Sequence, residues 1–279
     1  MFREKLLYFL LILSVMINCT SKSAQNQLRR EILKPIKKNN KRKENTDALE
    51  KTSRLFLYPN STTGQIIKHK YYNASYSEDD EQSEWVAYKI SRNNYNKNIA
   101  RTNDFRADKS VKTKSASLTD YRGSGYDRGH LAPARAMSYN HASMSESFYL
   151  SNMSPQKPSF NRGIWKTLEG KVEYWSNFRD SIYVVSGPIL DNPIGSIGEN
   201  KITVPRAFYK TLISFKNMKM QGIAFIIPNE KSKKSIYSYA TSIDEVEKIT
   251  GIDFYHKMDS IMQERIESNE SIKMFIANE

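Results

Sequence analysis

The sequence predicts an α+β domain, and three observations support that prediction. Tyrosine and phenylalanine are abundant, at 17 and 12 residues, and isoleucine and valine are well represented; these residue types favour strands. Strand-like segments bounded by Gly, Pro and Asn occur beside segments with helical periodicity. Without the chain ends a body of roughly 220 residues remains, which is ample for a sizeable hydrophobic core.

Four segments are predicted to be strands. The segment EWVAYKI at residues 84–90 alternates apolar and polar positions and predicts a half-buried strand. Three further apolar runs, each bounded by Gly, Pro or Asn, predict strands at 182–190, 201–215 and 222–229. Residues 91–125 are polar with few apolar anchors and predict a long loop, a length that is usually functional or mobile.

A helix is predicted to begin at Asn161, which is a good N-capping type. One face of this helix is an apolar stripe formed by Ile164, Leu168, Val172, Trp175 and Phe178. A different face carries Asn161, Trp165 and Glu169, which recur every four residues. An amide and a carboxylate therefore lie two turns apart on that face, with Trp165 expected to pack in the core.

A second helix is predicted over 241–251. Ser242 is the expected N-cap and Glu245 the third helical position, which is the pattern of a capping box. Gly251 is expected to end the helix.

The N-terminus predicts export. Arg3 and Lys5 precede thirteen mostly apolar residues at 6–18, a run too short to span a bilayer, and Cys19 follows directly. The arrangement resembles a bacterial lipoprotein signal over residues 1–19, in which the cysteine becomes lipidated, although Asn18 departs from the small residue preferred there. Ordinary signal peptidase cleavage after Ser23 is the alternative. Since Cys19 is the only cysteine, the mature chain is expected to have no intramolecular disulfide.

The net charge of +13 suggests an anionic partner, but much of it is local. Residues 20–54 contain eleven Lys or Arg against four acidic residues and few apolar positions. This segment is predicted to be a basic disordered linker, either simply solvated or attracted to phosphates and anionic membranes. Residues 55–279, the predicted domain, are only mildly basic.

The segment YDRGHLAPA at residues 126–134 contains the strongest candidate for chemistry. His130 follows Asp127, Arg128 and Gly129, and flanking charges are poor core material. Gly129 is expected to permit a backbone conformation that other residues resist. An imidazole titrates near neutral pH and can act as a general base for water.

A histidine base alone does not hydrolyse a phosphodiester, because the developing negative charge must also be balanced. A divalent cation balances that charge without proton transfer. The sequence contains no cysteine and histidine cluster of the kind that binds zinc. Mg²⁺ needs only one or two protein oxygen ligands, which Asn161 and Glu169 could supply from one helix face.

These residues together carry a family resemblance. DRGHLAPA, then SNMSPQ at 151–156 and FNRGIWKTLE at 160–169, resemble the DNA/RNA non-specific endonucleases, the endonuclease G-like sugar-non-specific nucleases. The similarity spans roughly residues 55–258, and the combination of motifs is highly specific. It implies a central antiparallel sheet with flanking helices and a ββα-metal finger as the active site, in which a hairpin carries the histidine and a helix carries the metal ligand.

The resemblance implies a role for each matched residue. His130 is the expected general base, Asn161 the sole direct protein ligand of Mg²⁺ (or Mn²⁺), and Glu169 the residue that holds a water of the metal. Asp127, Arg128 and Asn152 are expected to support the site. Arg101 is the expected transition-state arginine, with Arg106 as the competitor.

The function expected from this resemblance is Mg²⁺-dependent hydrolysis of DNA and RNA with little sequence specificity, giving 5′-phosphate ends. A homodimer and membrane attachment through a lipidated Cys19 are further expectations. The competing hypothesis is a non-catalytic, surface-tethered nucleic-acid-binding protein with a decayed nuclease fold. A toxin with an immunity partner is a third hypothesis, but no delivery module is recognisable in the sequence.

Overall fold

A seven-stranded antiparallel sheet organises the protein in the computed structural model, which describes residues 58–277 apart from 92–93, 96–97 and 217–218. Three strands precede the site: β1 (Gln65–Lys68), β2 (Asn73–Ser77) and β3 (Gln82–Ile90). Four follow it: β6 (Ser181–Ile189), β9 (Ala207–Lys216), β10 (Lys219–Pro228) and β11 (Ala240–Thr241). Their order in the sheet is β1-β2-β3-β6-β9-β10-β11.

Two small hairpins complete the strands. One pairs β4 (Asp127–His130) with β5 (Met153–Gln156), and the other pairs β7 (Gly195–Ile197) with β8 (Ile202–Val204). The predicted strand 201–215 is therefore wrong as a single element: β8 and β9 belong to different sheets, and Pro205 lies between them. Proline donates no ladder hydrogen bond, so the break at this residue has a clear physical cause.

Seven α-helical segments surround the sheet in the described part of the chain. They are α1 (Leu118–Tyr121), α2 (His141–Glu146), α3 (Pro158–Phe160), α4 (Lys166–Ser176), α5 (Ile243–Thr250), α6 (Ser260–Glu267) and α7 (Asn269–Ala277). A π-helical turn at Asn161–Trp165 joins α3 to α4. Within the described residues, none of the helices has the length and apolar character needed to cross a membrane.

Both faces of the sheet are covered. On β3, Val86 and Tyr88 belong to the core that contains α4, whereas Trp85 and Ala87 belong to the core that contains α5. The strand over 84–90 is confirmed, but the expectation that it is half-buried is wrong, since helices cover both of its faces. The α+β class with a central antiparallel sheet is confirmed.

The helix predicted over 241–251 is confirmed as α5. The Ser242 hydroxyl accepts a hydrogen bond from the Glu245 backbone at 3.2 Å, and Gly251 ends the helix with φ +70°.

In the predicted loop 91–125, α1 is the one α-helical segment among the described residues. The described residues belong to one unit, Arg54–Glu279. The predicted signal and linker, residues 1–54, lie outside the described residues.

Candidate active site

The hairpin of β4 and β5 presents His130. Its register pairs His130 with Met153 and Gly129 with Ser154. Gly129 does not adopt a positive φ, so the expectation of an unusual backbone there is wrong. The glycine is required for space instead: a Cβ at residue 129 would lie 2.1 Å from the side chain of Gln156, which is fully buried.

Asn152 fixes the chain directly after the histidine. Its carboxamide accepts a hydrogen bond from the Ala132 backbone N–H at 2.9 Å and donates to the Ala132 carbonyl at 2.9 Å. The same amide also donates to the Ser147 carbonyl at 2.8 Å. Asn152 is fully buried and does not line the cleft, so its hydrogen bonds reach the site only through the backbone that follows His130.

The imidazole of His130 lies between aromatic rings with one edge on a cleft. The ring of Phe148 meets it edge-on at 4.9 Å and that of Phe105 at 5.8 Å. Burial lowers the pKa of His130 to about 3, and the charges of Arg101 and Arg128 act in the same direction. The ring is therefore neutral at physiological pH and able to accept a proton.

The Nε2 atom of His130 is buried and has no hydrogen-bond partner among the described residues. Buried polar atoms are nearly always satisfied in proteins, and exceptions call for a functional or solvent explanation.

Asn161 lines the same cleft and lies in the π-helical turn. The helix begins earlier than predicted, because Lys157 is the N-cap of α3 and Pro158 occupies its first position. The expectation that Asn161 caps the helix is therefore wrong; its backbone is helical. Its side-chain Nδ2 donates to Asp127 at 2.9 Å, and its Oδ1 accepts no hydrogen bond from the described residues.

Asp127 connects the hairpin to this helix. Besides Asn161 it receives two hydrogen bonds from the guanidinium of Arg162, at 2.9 and 2.6 Å. Arg128, the next residue, is exposed, lies over the ring of Phe105 at 4.1 Å and lines the cleft.

Glu169 lies in α4 and lines the same cleft. Burial raises its pKa to about 7, while the positive charges of Lys210, Arg101 and Lys166 oppose that rise. Trp165, which precedes Glu169 by one turn, is fully buried in the core as predicted. In the predicted apolar stripe Phe178 is the exception, since it lies beyond the end of α4 and is 55% exposed.

Lys210 is a site residue that sequence reasoning missed. It is fully buried, and its Nζ donates to Ser186 at 3.1 Å and lies 4.6 Å from the ring centre of Trp165. Burial lowers the pKa of Lys210 to about 8, and the charge of Glu169 opposes this. A sequence signal existed: Phe208, Lys210 and Leu212 alternate on one face of β9, so a lysine occupies a core position.

The two candidate arginines occupy different places. Arg101 lines the cleft, with its guanidinium over the ring of Phe148 at 4.7 Å and hydrogen-bonded to Asn103 at 2.8 Å. Arg106 is not among the residues that line the cleft and instead forms an ion pair with Asp104 at 2.8 Å. The geometry therefore favours Arg101 as the arginine that reaches a substrate.

The cleft has a volume of about 580 Å³ and is predominantly basic. The titratable groups that line it are Tyr95, Arg101, Arg128, His130, Arg135, Arg162, Lys166, Glu169 and Glu173. His130, Asn161, Glu169 and Arg101 thus converge on one cavity, as the sequence led us to expect.

The donor set suits a hard divalent cation. Asn161 offers a carboxamide oxygen, and Glu169 adds a carboxylate, the ligand types that Mg²⁺ prefers. In the described part of the chain the one group of three potential metal-ligating side chains is Asp244, Glu247 and Glu267, whose ligand atoms lie within 4.8 Å of one another. That group packs against the other face of the sheet, with α5 and α6.

A hairpin histidine and a helix-borne carboxamide that line one basic cleft are the arrangement of a ββα-metal type of nuclease site. Comparison with known proteins agrees. The model of the DNA/RNA non-specific endonuclease family matches residues 51–260, and the chain belongs to that family of metal-dependent nucleases. The protein is therefore a nucleic-acid hydrolase.

Three relatives illustrate the similarity. Nuclease C1 of Cunninghamella echinulata var. echinulata is 32% identical over 71% of this chain and 85% of its own length. A nuclease of Nostoc sp. is 31% identical over 73% of this chain and 77% of its own length. The solved complex of EndoG with EndoGI superposes with a TM-score of 0.66 at 30% identity, covering 71% of this chain and 89% of that one.

Family membership and an intact cleft argue against the decayed-nuclease hypothesis. A decayed site would have lost at least one of the base, the metal ligand or the carboxylate. His130, Asn161 and Glu169 are all present and all line the cleft.

Proposed function

We propose that this protein hydrolyses internal phosphodiester bonds of DNA and RNA with little sequence specificity, using Mg²⁺, for which Mn²⁺ could substitute. One observation carries the proposal: the neutral imidazole of His130 and the carboxamide of Asn161 line the same basic cleft. A base for water and a ligand for a cation are the two elements that this reaction needs.

In the proposed mechanism His130 takes a proton from a water molecule, and the water oxygen attacks phosphorus. The bond between phosphorus and the 3′ oxygen breaks, and the departing oxygen takes a proton from a water molecule in the cleft, which leaves a 5′-phosphate and a 3′-hydroxyl. The depressed pKa of His130 keeps the ring unprotonated before the reaction. The Phe105 and Phe148 rings hold it in place.

The negative charge that builds on the phosphoryl group needs compensation. Arg101 is placed in the cleft to supply part of it. When bound, Mg²⁺ would be held by Asn161 and would supply the remaining positive charge at the phosphate. Glu169 would accept hydrogen bonds from waters in the cleft and orient them.

Recognition through charge explains the weak sequence preference. Guanidinium and ammonium groups bind phosphates and carry no direct base information. Cleavage is therefore expected to fall steeply with increasing salt, because each neutralised phosphate releases condensed counterions.

The test is incubation of residues 20–279 with plasmid DNA and with RNA, in Mg²⁺ and in EDTA, beside His130→Ala. Cleavage of both nucleic acids in Mg²⁺ but not in EDTA, and its loss in the variant, is the expected result. A His130→Ala protein that cuts at the wild-type rate would remove the histidine from the mechanism. Equal cleavage in EDTA would remove the metal.

We further propose that the protein is exported and anchored through a lipidated Cys19, with the basic segment 20–54 as a tether. The support is the sequence pattern of residues 1–19 alone, since these residues lie outside the described part of the chain. Palmitate labelling of the full chain, compared with Cys19→Ala, tests the anchor against simple release. A homodimer is also proposed by analogy, and sedimentation equilibrium tests it.

A further inference from the structure

A second groove lies beside the active-site cleft, along the adjacent face of α4. It has a volume of about 690 Å³. One wall is formed by the π-helical turn and α4, and the other by the segment between β10 and β11; the lining residues used below are Gly170, Lys171, Tyr174, Lys233, Lys234 and Tyr237.

The groove and the cleft meet at Gly170, which lines both cavities. A Cβ at this position would meet nothing within 4 Å, so the packing of the protein does not require a glycine there. A glycine inside a helix costs roughly 0.5–1 kcal/mol relative to alanine. The absence of a side chain at residue 170 leaves no obstruction on the stretch of helix surface that the two cavities share.

The groove is positively charged. Three lysines line it, Lys171, Lys233 and Lys234, and no carboxylate residue is among the lining residues. Lys233 and Lys234 are exposed, and neither side chain has a hydrogen-bond or ion-pair partner among the described residues. The cleft, in contrast, contains Glu169 and Glu173 among its basic groups.

The lysine-bearing segment is held in a defined conformation. The Ser232 hydroxyl accepts hydrogen bonds from the Lys234 backbone N–H at 3.0 Å and from the Tyr239 hydroxyl at 2.8 Å. Lys171 lies 4.7 Å from the ring centre of Tyr174 and 6.0 Å from that of Tyr237. The charges therefore stand on an ordered wall, which reduces the entropy lost when a ligand binds.

We propose that this groove is an extended binding site for the phosphate backbone of the nucleic acid being cleaved, with Lys233 and Lys234 each contacting a phosphate several nucleotides from the reacting bond. The inference rests on the proposed function and adds to it the path of the substrate outside the cleft. Lys233 and Lys234 act in binding only, since they do not line the cleft in which the reaction occurs.

The experiment compares the full chain with the double variant Lys233→Gln/Lys234→Gln and with a matched control, Lys248→Gln/Lys257→Gln. The control removes the same charge from exposed positions in and after α5, on the other face of the sheet. Steady-state cleavage of duplex DNA of several hundred base pairs is measured between 50 and 300 mM salt. Bis(p-nitrophenyl) phosphate, which is too small to reach the groove, serves as the second substrate.

For the groove variant the slope of log KM for duplex DNA against log salt should fall by roughly 2, and KM at 0.1 M salt should rise roughly tenfold. Hydrolysis of the small substrate should stay within a factor of two of wild type, and the control pair should keep the wild-type slope. Surface substitutions of this kind rarely alter stability by more than about 0.5 kcal/mol, so folding is expected to be retained.

Three results would overturn the inference. They are an unchanged salt slope in the groove variant, an equal loss of slope in the control pair, and a loss of activity toward the small substrate. A wild-type protein that cleaves neither substrate would instead overturn the proposed function, so the two failures are distinguishable.

Discussion

The side-chain amide of Asn161 donates a hydrogen bond to the carboxylate of Asp127 across 2.9 Å, and this contact joins the helix to the hairpin that carries His130. The bond occupies the amide nitrogen, so the amide oxygen is left for another ligand. Arg162 holds the same carboxylate through two further hydrogen bonds. The orientation of the expected metal ligand is thus set by a residue of the DRGH segment.

Replacing Asn161 with Asp should inactivate the enzyme even though a carboxylate is a competent Mg²⁺ ligand. The new carboxylate would face Asp127 at hydrogen-bond distance, where like charges repel. We expect kcat to fall by roughly 10²-fold or more, the size seen when a metal-site group is misplaced. Asn161→Ala should lose activity with less effect on DNA binding.

Asp127→Asn combined with Asn161→Asp provides the control, since it restores a donor and an acceptor across the same pair. Recovery of activity in the double variant, followed by cleavage rates and Mg²⁺ titration, would support the contact. An Asn161→Asp protein with wild-type kcat would contradict it.

Replacing Asn152 with Ala should affect stability and activity together. The substitution leaves the Ala132 N–H and the Ala132 and Ser147 carbonyls without partners in a fully buried place. Each unsatisfied buried group costs about 1–3 kcal/mol, so for three groups a loss of roughly 3–9 kcal/mol is expected from denaturant unfolding. The residual folded protein should show reduced kcat, since the backbone after His130 is no longer held. Wild-type stability in the variant would contradict the role of the carboxamide.

Gly129→Ala should destabilise the hairpin. A methyl group at residue 129 would overlap the side chain of Gln156, which is fully buried and has little room to move. Overpacking of this kind typically costs 1–3 kcal/mol. The double variant Gly129→Ala/Gln156→Ala removes the obstruction and should regain part of the lost stability, measured by thermal unfolding. If Gly129→Ala alone melts at the wild-type temperature, space is not the reason for the glycine.

The pH dependence of activity should reflect Glu169 and not His130. The pKa of His130 is lowered to about 3, so its neutral form persists far into acid. The pKa of Glu169 is raised to about 7 by burial, against the opposing charges of Lys210, Arg101 and Lys166. The carboxylate is charged above its pKa, so activity should rise as pH increases through neutrality. A bound cation favours the charged carboxylate, so the midpoint of this rise should be lower when the cation is present.

Glu169→Gln tests this assignment in a profile of kcat/KM between pH 4 and 9. The variant should be less active and should lack the acid limb. If kcat/KM of the variant still falls at acid pH with the wild-type midpoint, that fall is caused by a titrating group other than Glu169.

Stability should fall as pH rises because of Glu267. Burial raises its pKa to about 8, and the neighbouring carboxylates Glu247 and Asp244 add to the rise. The folded state therefore holds a proton that the unfolded state releases above its ordinary pKa of 4.5, so the free energy of unfolding declines between those two values. Glu267→Gln should flatten that decline and melt higher than wild type at pH 9. Parallel pH profiles for the two proteins would exclude this carboxyl group as the cause.

The sequence predicted the parts of the site that depend on local patterns. Helical spacing placed Asn161 and Glu169 on one face, because residues four apart on a helix are neighbours. The family resemblance, and not the spacing, brought His130 to the same cleft. The sequence did not place the start of the helix, although Pro158, three residues before Asn161, is a typical first helical residue. The preference of asparagine for N-cap positions was too weak to decide between a helix that begins at Pro158 and one that begins at Asn161.

Tertiary context explains the remaining differences. A strand pattern does not reveal whether one or both faces are covered, so the burial of Trp85 and Ala87 could not be derived from residues 84–90. The break at Pro205 separates two sheets, and only the sheet topology shows it. The part played by Lys210 depends on its electrostatic interaction with Glu169, 41 positions earlier in the chain, which the sequence alone does not reveal.

The electrostatic interaction between buried Lys210 and Glu169 has a thermodynamic consequence for loading of the cleft. Burial lowers the pKa of Lys210 and raises that of Glu169, and the charge of each opposes the shift of the other. A divalent cation arriving nearby favours the deprotonated carboxylate and should expel part of the proton that Glu169 holds into solvent. Titration calorimetry of Mg²⁺ in buffers of different ionisation heat should therefore give different apparent enthalpies, and Lys210→Met should change that difference.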